Sequence, residues 1–305
     1  MADDRRPAVT RRTCDATDAR LDLFLATHWG PLSRRQTRAI IAAGTVRVNG
    51  AIARKGALLQ SGDVVEVTTT AFDDAVRLPP QPELPVAVLY EDADLIAIDK
   101  PPDMPSVALR GVDRGTVANF LAGRAPDTAT VGRSALEAGL VHRLDTGTSG
   151  VLLAARTHSA WLGMREQFRA RAVGKRYIAW VEGRLRAAGK MEDPIAHDPR
   201  QRRRMIVCGV PAQAQRLGAR AAHTRYRPLQ ARGGGTLVEI HITTGVRHQI
   251  RAHLAALGHP VRGDVLYGAQ AAPRLFLHAT GLTLRHPTNG RMLQIDSRPP
   301  EAFDD

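Results

Sequence analysis

Four prolines, Pro79, Pro80, Pro82 and Pro85, close a stretch beginning at Thr68 in which the hydrophobic periodicity dissolves. Proline fixes φ and offers no backbone N–H, so neither a helix nor an inner strand runs through such a segment. It reads as a semi-rigid linker over 71–85, with a domain boundary near Leu78. The 305 residues then divide into a small N-terminal module, expected over 18–70, and a larger domain, expected over 86–297. Residues 1–17 mix Arg5, Arg6, Arg11 and Arg12 with Asp3 and Asp4 and have no apolar core, so they read as a flexible tail and not as a secretory signal.

Charge narrows the partners. Lys and Arg number 43 against 30 for Asp and Glu, a net charge of +13 that points to a polyanion, with nucleic acid the first candidate. No apolar run approaches the roughly 20 residues of a membrane span, so a membrane partner is not expected and the chain is placed in the cytoplasm. Cys14 and Cys208 are far apart and lack a Cys-x-x-Cys pattern, which supports neither a disulfide framework nor a thiolate site. His248 and His253 lie five apart, on different faces of a helix, so no metal and no cofactor are expected. Aromatics make up only 4% of the chain, which disfavours a stacking platform for single strands.

Within the module, Leu21, Phe24 and Leu25 are spaced for a helix. Ser33 announces a second helix that carries Ile40 and Ile41 and stops at Gly44. Val46-Arg47-Val48 leads into an Asn49-Gly50 turn, and Gly62-Asp63 precedes a strand over Val64 to Val67. Arg34, Arg35 and Arg38 fall within one or two turns. They either follow a phosphate backbone or form a solvated helix face.

Beyond the linker, two apolar runs around Glu91-Asp92-Ala93-Asp94 form a hairpin, Thr116 and Thr157 open helices, and Lys175 to Glu182 and Leu237 to Ile242 alternate as strands. Strands and helices without a regular βαβ repeat indicate an α+β domain. Three stretches carry possible chemistry. His142-Arg143-Leu144-Asp145-Thr146-Gly147-Thr148-Ser149-Gly150 reads as a tight loop between two short strands, and its Asp145 either caps the turn or serves as a reactive carboxylate. On Lys175 to Gly183, Tyr177 shares a face with Ala179 and Val181, as an ordinary core tyrosine or as a ring over a pocket. Thr243 to Leu254 is a strand exit and helix start that places Arg247, His248 and Arg251 within one turn, a cationic end for an anion. The run Arg200 to Arg204 carries four arginines in five positions, which on charge alone reads as a solvated run.

The small block, through Arg20-Leu21-Asp22, Leu32-Ser33-Arg34, Gly44 to Gly50 and Gly62-Asp63, resembles the S-four-type RNA-binding domain. That resemblance implies RNA contact through Arg34, Arg35 and Arg47. The three stretches of the larger domain, with Asp99-Lys100-Pro101, His259-Pro260, Gly263-Asp264, Tyr267-Gly268 and Leu277-His278-Ala279, resemble the RluA-type pseudouridine synthases, which isomerise uridine in RNA. The resemblance runs from about Leu84 to Asp296. It implies a mixed-sheet catalytic domain with Asp145 as nucleophile, Tyr177 packed on the target uracil, Arg251 as partner of Asp145, and Arg143, Arg247 and His248 as RNA contacts. It also places the Arg200 to Arg204 run in a loop near RNA. Val246 and Arg247 depart from the family pattern, which has arginine directly after Thr244-Gly245; so does Met104-Pro105-Ser106-Val107, where the family continues to Val-His-Pro. The implied reaction needs no cofactor. Ribosomal RNA is the favoured partner, transfer RNA the other, and no obligatory protein partner is inferred. A non-catalytic RNA-binding or ribosome-assembly factor, and an RNA N-glycosidase acting through Asp145, are the alternatives.

Overall fold

The computed structural model describes residues 9–15, 19–29, 34–54, 56–68 and 78–304. They fall into two compact units, one comprising 1–82, 107–114 and 118–139 and the other 83–106, 115–117 and 140–305.

The first unit begins with β1 (Val9–Thr13), β2 (Ala19–Arg20), α1 (Leu21–His28), α2 (Arg34–Ala42), β3 (Val46–Val48), β4 (Ala51–Ile52), β5 (Leu58–Leu59) and β6 (Val64–Thr68). The helices expected from Leu21, Phe24, Leu25, Ile40 and Ile41 bury those residues against Cys14, Val46, Leu59, Val65 and Val67. Each fully buried Leu or Val in such a core contributes roughly 1.5–3 kcal/mol. Asn49 and Gly50 both adopt positive φ, 50° and 80°, which is the backbone that a tight β3–β4 hairpin demands. The Asn49 side chain also donates to Asp63 and accepts from the Val64 N–H, joining this turn to the next strand.

Two expectations for this unit are corrected. Residues 9–13 are not tail: they form β1, which pairs antiparallel with β6 from Val9↔Thr68 to Thr13↔Val64. Residues 78–82, expected within the semi-rigid linker, belong to the folded unit. Leu78 is buried, and the backbone of Pro79 and Gln81 bonds to Asn119 on α3 (Val117–Arg124). Ser33, read as a helix cap, and 71–77 lie outside the described residues.

The second unit is built on a sheet of nine strands. It comprises β7 (Ala87–Glu91), β8 (Leu95–Lys100), β9 (Ser149–Ala155), β10 (Gly174–Glu182), β11 (Gly189–Met191), β14 (Thr224–Arg232), β15 (Gly235–Ile242), β16 (Leu277–Arg285) and β17 (Met292–Asp296). A separate hairpin pairs β12 (Ile195–His197) with β13 (Met205–Val207). The strand order is β11-β14-β15-β10-β16-β9-β8-β7, with β17 beside β16. Among the described strands only β9 and β16 run parallel, so the sheet is mixed, as expected. β8 and β9 are its core: Leu95 to Ile98 and Val151 to Ala155 are buried almost without exception, which is why both read as continuous apolar runs. Against them lies α4 (His158–Arg169), with Thr157 accepting from the Ala160 N–H as its cap and Trp161 and Met164 turned inward. Helices α5 (Pro211–Arg216) and α6 (Gln249–Ala256) complete the unit.

The chain also continues usefully past the expected limit at 297. Phe303 packs with Trp180 and Phe276, and its carbonyl accepts from the Trp180 indole at 3.0 Å.

Candidate active site

The loop that carries Asp145 is short because its backbone is pinned on both sides. The Asp145 carbonyl accepts from Thr148 N–H at 3.0 Å, closing a four-residue turn. One residue before, Leu144 is held through both its N–H and its carbonyl by the buried Ser106 hydroxyl. One residue after, the Thr146 carbonyl accepts from Lys100 Nζ at 2.8 Å. Lys100 is fully buried and donates also to Pro101 and Met104 carbonyls, so its three N–H groups have three acceptors. Burial pushes its pKa down to about 7, against the pull of Asp103 and Asp145. Gly150 seats the end of the loop: at φ 110° its Cα lies where any Cβ would stand 2.2 Å from the Ala279 carbonyl oxygen.

The lead-in, expected as a strand, is not one. Leu140 makes a single bridge to Ala154, and Arg143 is exposed. The Asp145 carboxylate does not cap its own turn either. Its Oδ2 accepts from Arg251 Nη1 at 3.0 Å and faces His248 Nε2 at 3.9 Å.

Arg251 is itself clamped. Its Nε and Nη2 donate to the two oxygens of Asp264 at 2.6 and 2.8 Å, in the bidentate geometry that a guanidinium suits. The Asp264 side chain is only 1% exposed, and the two carboxylates hold the Arg251 pKa well above its ordinary value despite burial. A planar cation thus bridges a buried carboxylate and the half-buried Asp145. Tyr267 lies alongside, with Arg251 5.2 Å and Arg204 5.4 Å from its ring centre. Its hydroxyl accepts from Met205 N–H at 2.9 Å and meets His248 Nδ1 at 3.2 Å.

Gln249 shapes the approach to α6. Its Oε1 accepts from Thr244 Oγ1 and Val246 N–H, while its Nε2 donates to His223 and Thr224. The chain turns so sharply here that His248 takes φ 54° and stands before the helix. The expectation of Arg247, His248 and Arg251 on one helical turn is therefore corrected. His248 and Arg251 face Asp145, whereas Arg247 is exposed and donates to the Arg203 carbonyl at 3.3 Å. Val246, where the family pattern has arginine, packs with Ile195, Met205, Ala252 and Tyr267.

Tyr177 is 7% exposed and sits at a register shift between β10 and β16. Such an irregularity re-aims a side chain. Burial and the Asp145 charge push its pKa up, so it is a neutral phenol. The basic run occupies the loop between β12 and β13. Arg200, Arg202 and Arg203 are exposed, while Arg204 lies against Tyr267 with its Nε buried and without a hydrogen-bond partner among the described residues. In the first unit Arg47 is exposed and donates to the Gly50 carbonyl. Arg34 and Arg35 stand on α2, and their side chains are outside the description.

Sequence reading did not assign roles to Asp264, Tyr267 or Lys100. The Gly263-Asp264 and Tyr267-Gly268 pairs were the available signal: each couples a polar residue to a glycine of positive φ.

Residues 94–256 match the family model for RNA pseudouridylate synthase, and residues 19–65 match the S4 domain. The chain is 39% identical, over 93% of its length and 87% of the relative's, to an uncharacterised RNA pseudouridine synthase of Chloroflexus aurantiacus. It is 34% identical, over 94% and 87%, to ribosomal large subunit pseudouridine synthase D of Xanthomonas campestris. Among solved structures it resembles human RNA pseudouridylate synthase domain containing 1, with a TM-score of 0.57, 25% identity, and coverage of 73% of this chain and 86% of that one. An α+β domain on a mixed sheet, preceded by an RNA-binding module, is the architecture of an RNA-modifying isomerase. The chain belongs to the RNA pseudouridine synthase family, and its partner is RNA.

Proposed function

We propose that the protein converts uridine to pseudouridine in ribosomal RNA of the large subunit, with the Asp145 carboxylate as nucleophile. The observation that carries this reading is the Asp145–Arg251–Asp264 chain: the only carboxylate of the three-residue network that is accessible is the one on the pinned loop, 26% exposed against 1% for Asp264. Arg251 sets a guanidinium 3.0 Å from its Oδ2 while Asp264 neutralises Arg251, so the site does not present a bare cation in its floor. Forming a covalent bond to the nucleoside divides one difficult displacement into two easier ones.

The overall change balances within the substrate. The bond between uracil N1 and the ribose breaks, a bond from C5 to the ribose forms, the C5 proton leaves and N1 gains one. Tyr177 supplies a flat apolar surface for the extruded base. Its neutral hydroxyl has no hydrogen-bond partner among the described residues, leaving it open to the base. Bonding of Asp145 to the nucleoside removes the carboxylate charge, one of the two causes that hold the Tyr177 proton on, and so makes the phenol a better donor: it gives its proton to the freed N1 side of the base and, as phenolate, takes the C5 proton, ending neutral. The exposed Arg143, Arg247 and Arg200 to Arg203 supply phosphate contacts. Arg34, Arg35 and Arg47 add a second RNA-binding patch, which raises the effective concentration of the enzyme on a large structured RNA. We place its action in the cytoplasm.

The test is tritium release from RNA labelled at C5 of uridine and isolated from a strain lacking the protein. Release from the large-subunit ribosomal fraction and none from transfer RNA is expected. Release confined to transfer RNA would overturn the substrate assignment, and free uracil among the products would instead show glycosidic cleavage.

A further inference from the structure

We infer that His248 and Tyr267 form a positioning pair that aims an imidazole N–H at Oδ2 of Asp145, leaving Oδ1 as the oxygen that bonds the nucleoside. This rests on the reading of Asp145 as nucleophile. Three features of the geometry carry it.

First, one tautomer suits both of the ring's neighbours, Tyr267 and Asp145. The phenol oxygen already accepts from Met205 N–H at 2.9 Å, and His248 Nδ1 lies 3.2 Å away as an acceptor for the phenol proton. Burial holds the Tyr267 pKa up, so that proton is present. With Nδ1 accepting, the imidazole proton resides on Nε2, the nitrogen that faces Asp145 Oδ2 at 3.9 Å. The opposite tautomer would turn an Nε2 lone pair toward the carboxylate, which is repulsive. Second, the neutral ring is the favoured state. Burial, Arg251 and Arg247 lower the His248 pKa, while Asp145 and Asp264 act against them; Arg204 adds a further cation across the Tyr267 ring. A neutral donor supports the carboxylate without quenching it, as a second full cation beside Arg251 would.

Third, the two donors address one oxygen. Arg251 and His248 both approach Oδ2, and Oδ1 accepts no hydrogen bond among the described residues. The His248 backbone at φ 54° is held in a region that a non-glycine residue rarely adopts, and such strain persists where the surroundings impose it. Hydrogen bonds of this kind are often long before the substrate arrives and tighten in the reacting complex.

The experiment compares single-turnover tritium release and RNA affinity for His248→Gln, His248→Asn, His248→Ala and Tyr267→Phe, with the unmodified enzyme and Asp145→Asn as controls. Glutamine carries an N–H near the Nε2 position and asparagine near Nδ1. The pair predicts that His248→Gln stays within roughly 3-fold of the unmodified rate, while His248→Asn and His248→Ala lose roughly 10- to 100-fold, the worth of a hydrogen bond to a charged group. RNA affinity is expected to stay within about twofold throughout. Tyr267→Phe lowers the rate in an otherwise unmodified chain and has no further effect in His248→Ala. Equal rates for the Gln and Asn variants, or a full rate for His248→Ala, would overturn the inference. If His248→Ala does not fold, Gln against Asn decides the matter alone. Undiminished release by Asp145→Asn would overturn the underlying reading instead, whatever the His248 variants do.

Discussion

At the scale of single residues, Arg251 is the group on which two carboxylates depend. With a side chain 12% exposed and two bonds to an Asp264 that is 1% exposed, its removal leaves a buried charge unpaired. Arg251→Ala is therefore expected to lower unfolding stability by roughly 3–5 kcal/mol in urea titration, beyond any effect on rate. A loss below about 1 kcal/mol would show that water replaces the guanidinium freely. Asp145 and Arg251 were legible in the sequence because each lies inside a compact motif. Asp264 and Tyr267 were not, because what makes them part of the site is a turn after α6 that returns the chain to Arg251, and no spacing rule encodes that return. The segment leading into the Asp145 loop is harder to read for a related reason: its apolar residues resemble a short strand, yet it forms an isolated bridge at Leu140 and not a strand.

Secondary-structure elements contribute a pH dependence. His278 on β16 is buried between the hydroxyls of Ser149 and Ser297, and burial with Arg274 nearby pushes its pKa down to about 4. His142 accepts from Leu153 N–H on β9 and stacks on Phe168 of α4; burial and Lys175 push it down to about 3. An unfolded histidine titrates near 6.5. Between these values the unfolded chain binds protons that the fold refuses, so stability is retained above about 6.5 and falls as the pH drops below it. Each residue costs on the order of 1–2 kcal/mol by pH 5. Tm should fall between pH 7 and 5, and His142→Gln, which keeps an acceptor for Leu153, should flatten the slope. A Tm flat over that range in the unmodified chain would contradict the assignment. The elements themselves were largely readable: strands β8 and β9 and helix α4 follow from apolar runs and a threonine cap. β1 was hidden because its five residues, Val-Thr-Arg-Arg-Thr, are all exposed and carry no apolar alternation.

For the whole molecule, the net charge of +13 makes RNA affinity steeply dependent on salt. Removing one arginine–phosphate pair reduces the slope of log affinity against log salt by roughly one. Arg47→Ala combined with Arg34→Ala is expected to flatten that slope by up to about two while leaving the single-turnover rate at saturating RNA unchanged. A slope identical to that of the unmodified protein would remove these arginines from the RNA interface. The division into a small module and a large α+β domain was legible because prolines and charge mark it. The extent of each part was less so, since Leu78 and Phe303 reveal their burial only through partners distant in sequence.

The central claim is that Asp145 forms the bond to the nucleoside, and its most direct measurement is single-turnover tritium release by Asp145→Asn on C5-labelled large-subunit ribosomal RNA. The substitution keeps size and shape but removes the nucleophilic charge. The account predicts no release above background with RNA affinity within about twofold of the unmodified enzyme. Release at a rate approaching that of the unmodified enzyme would contradict it.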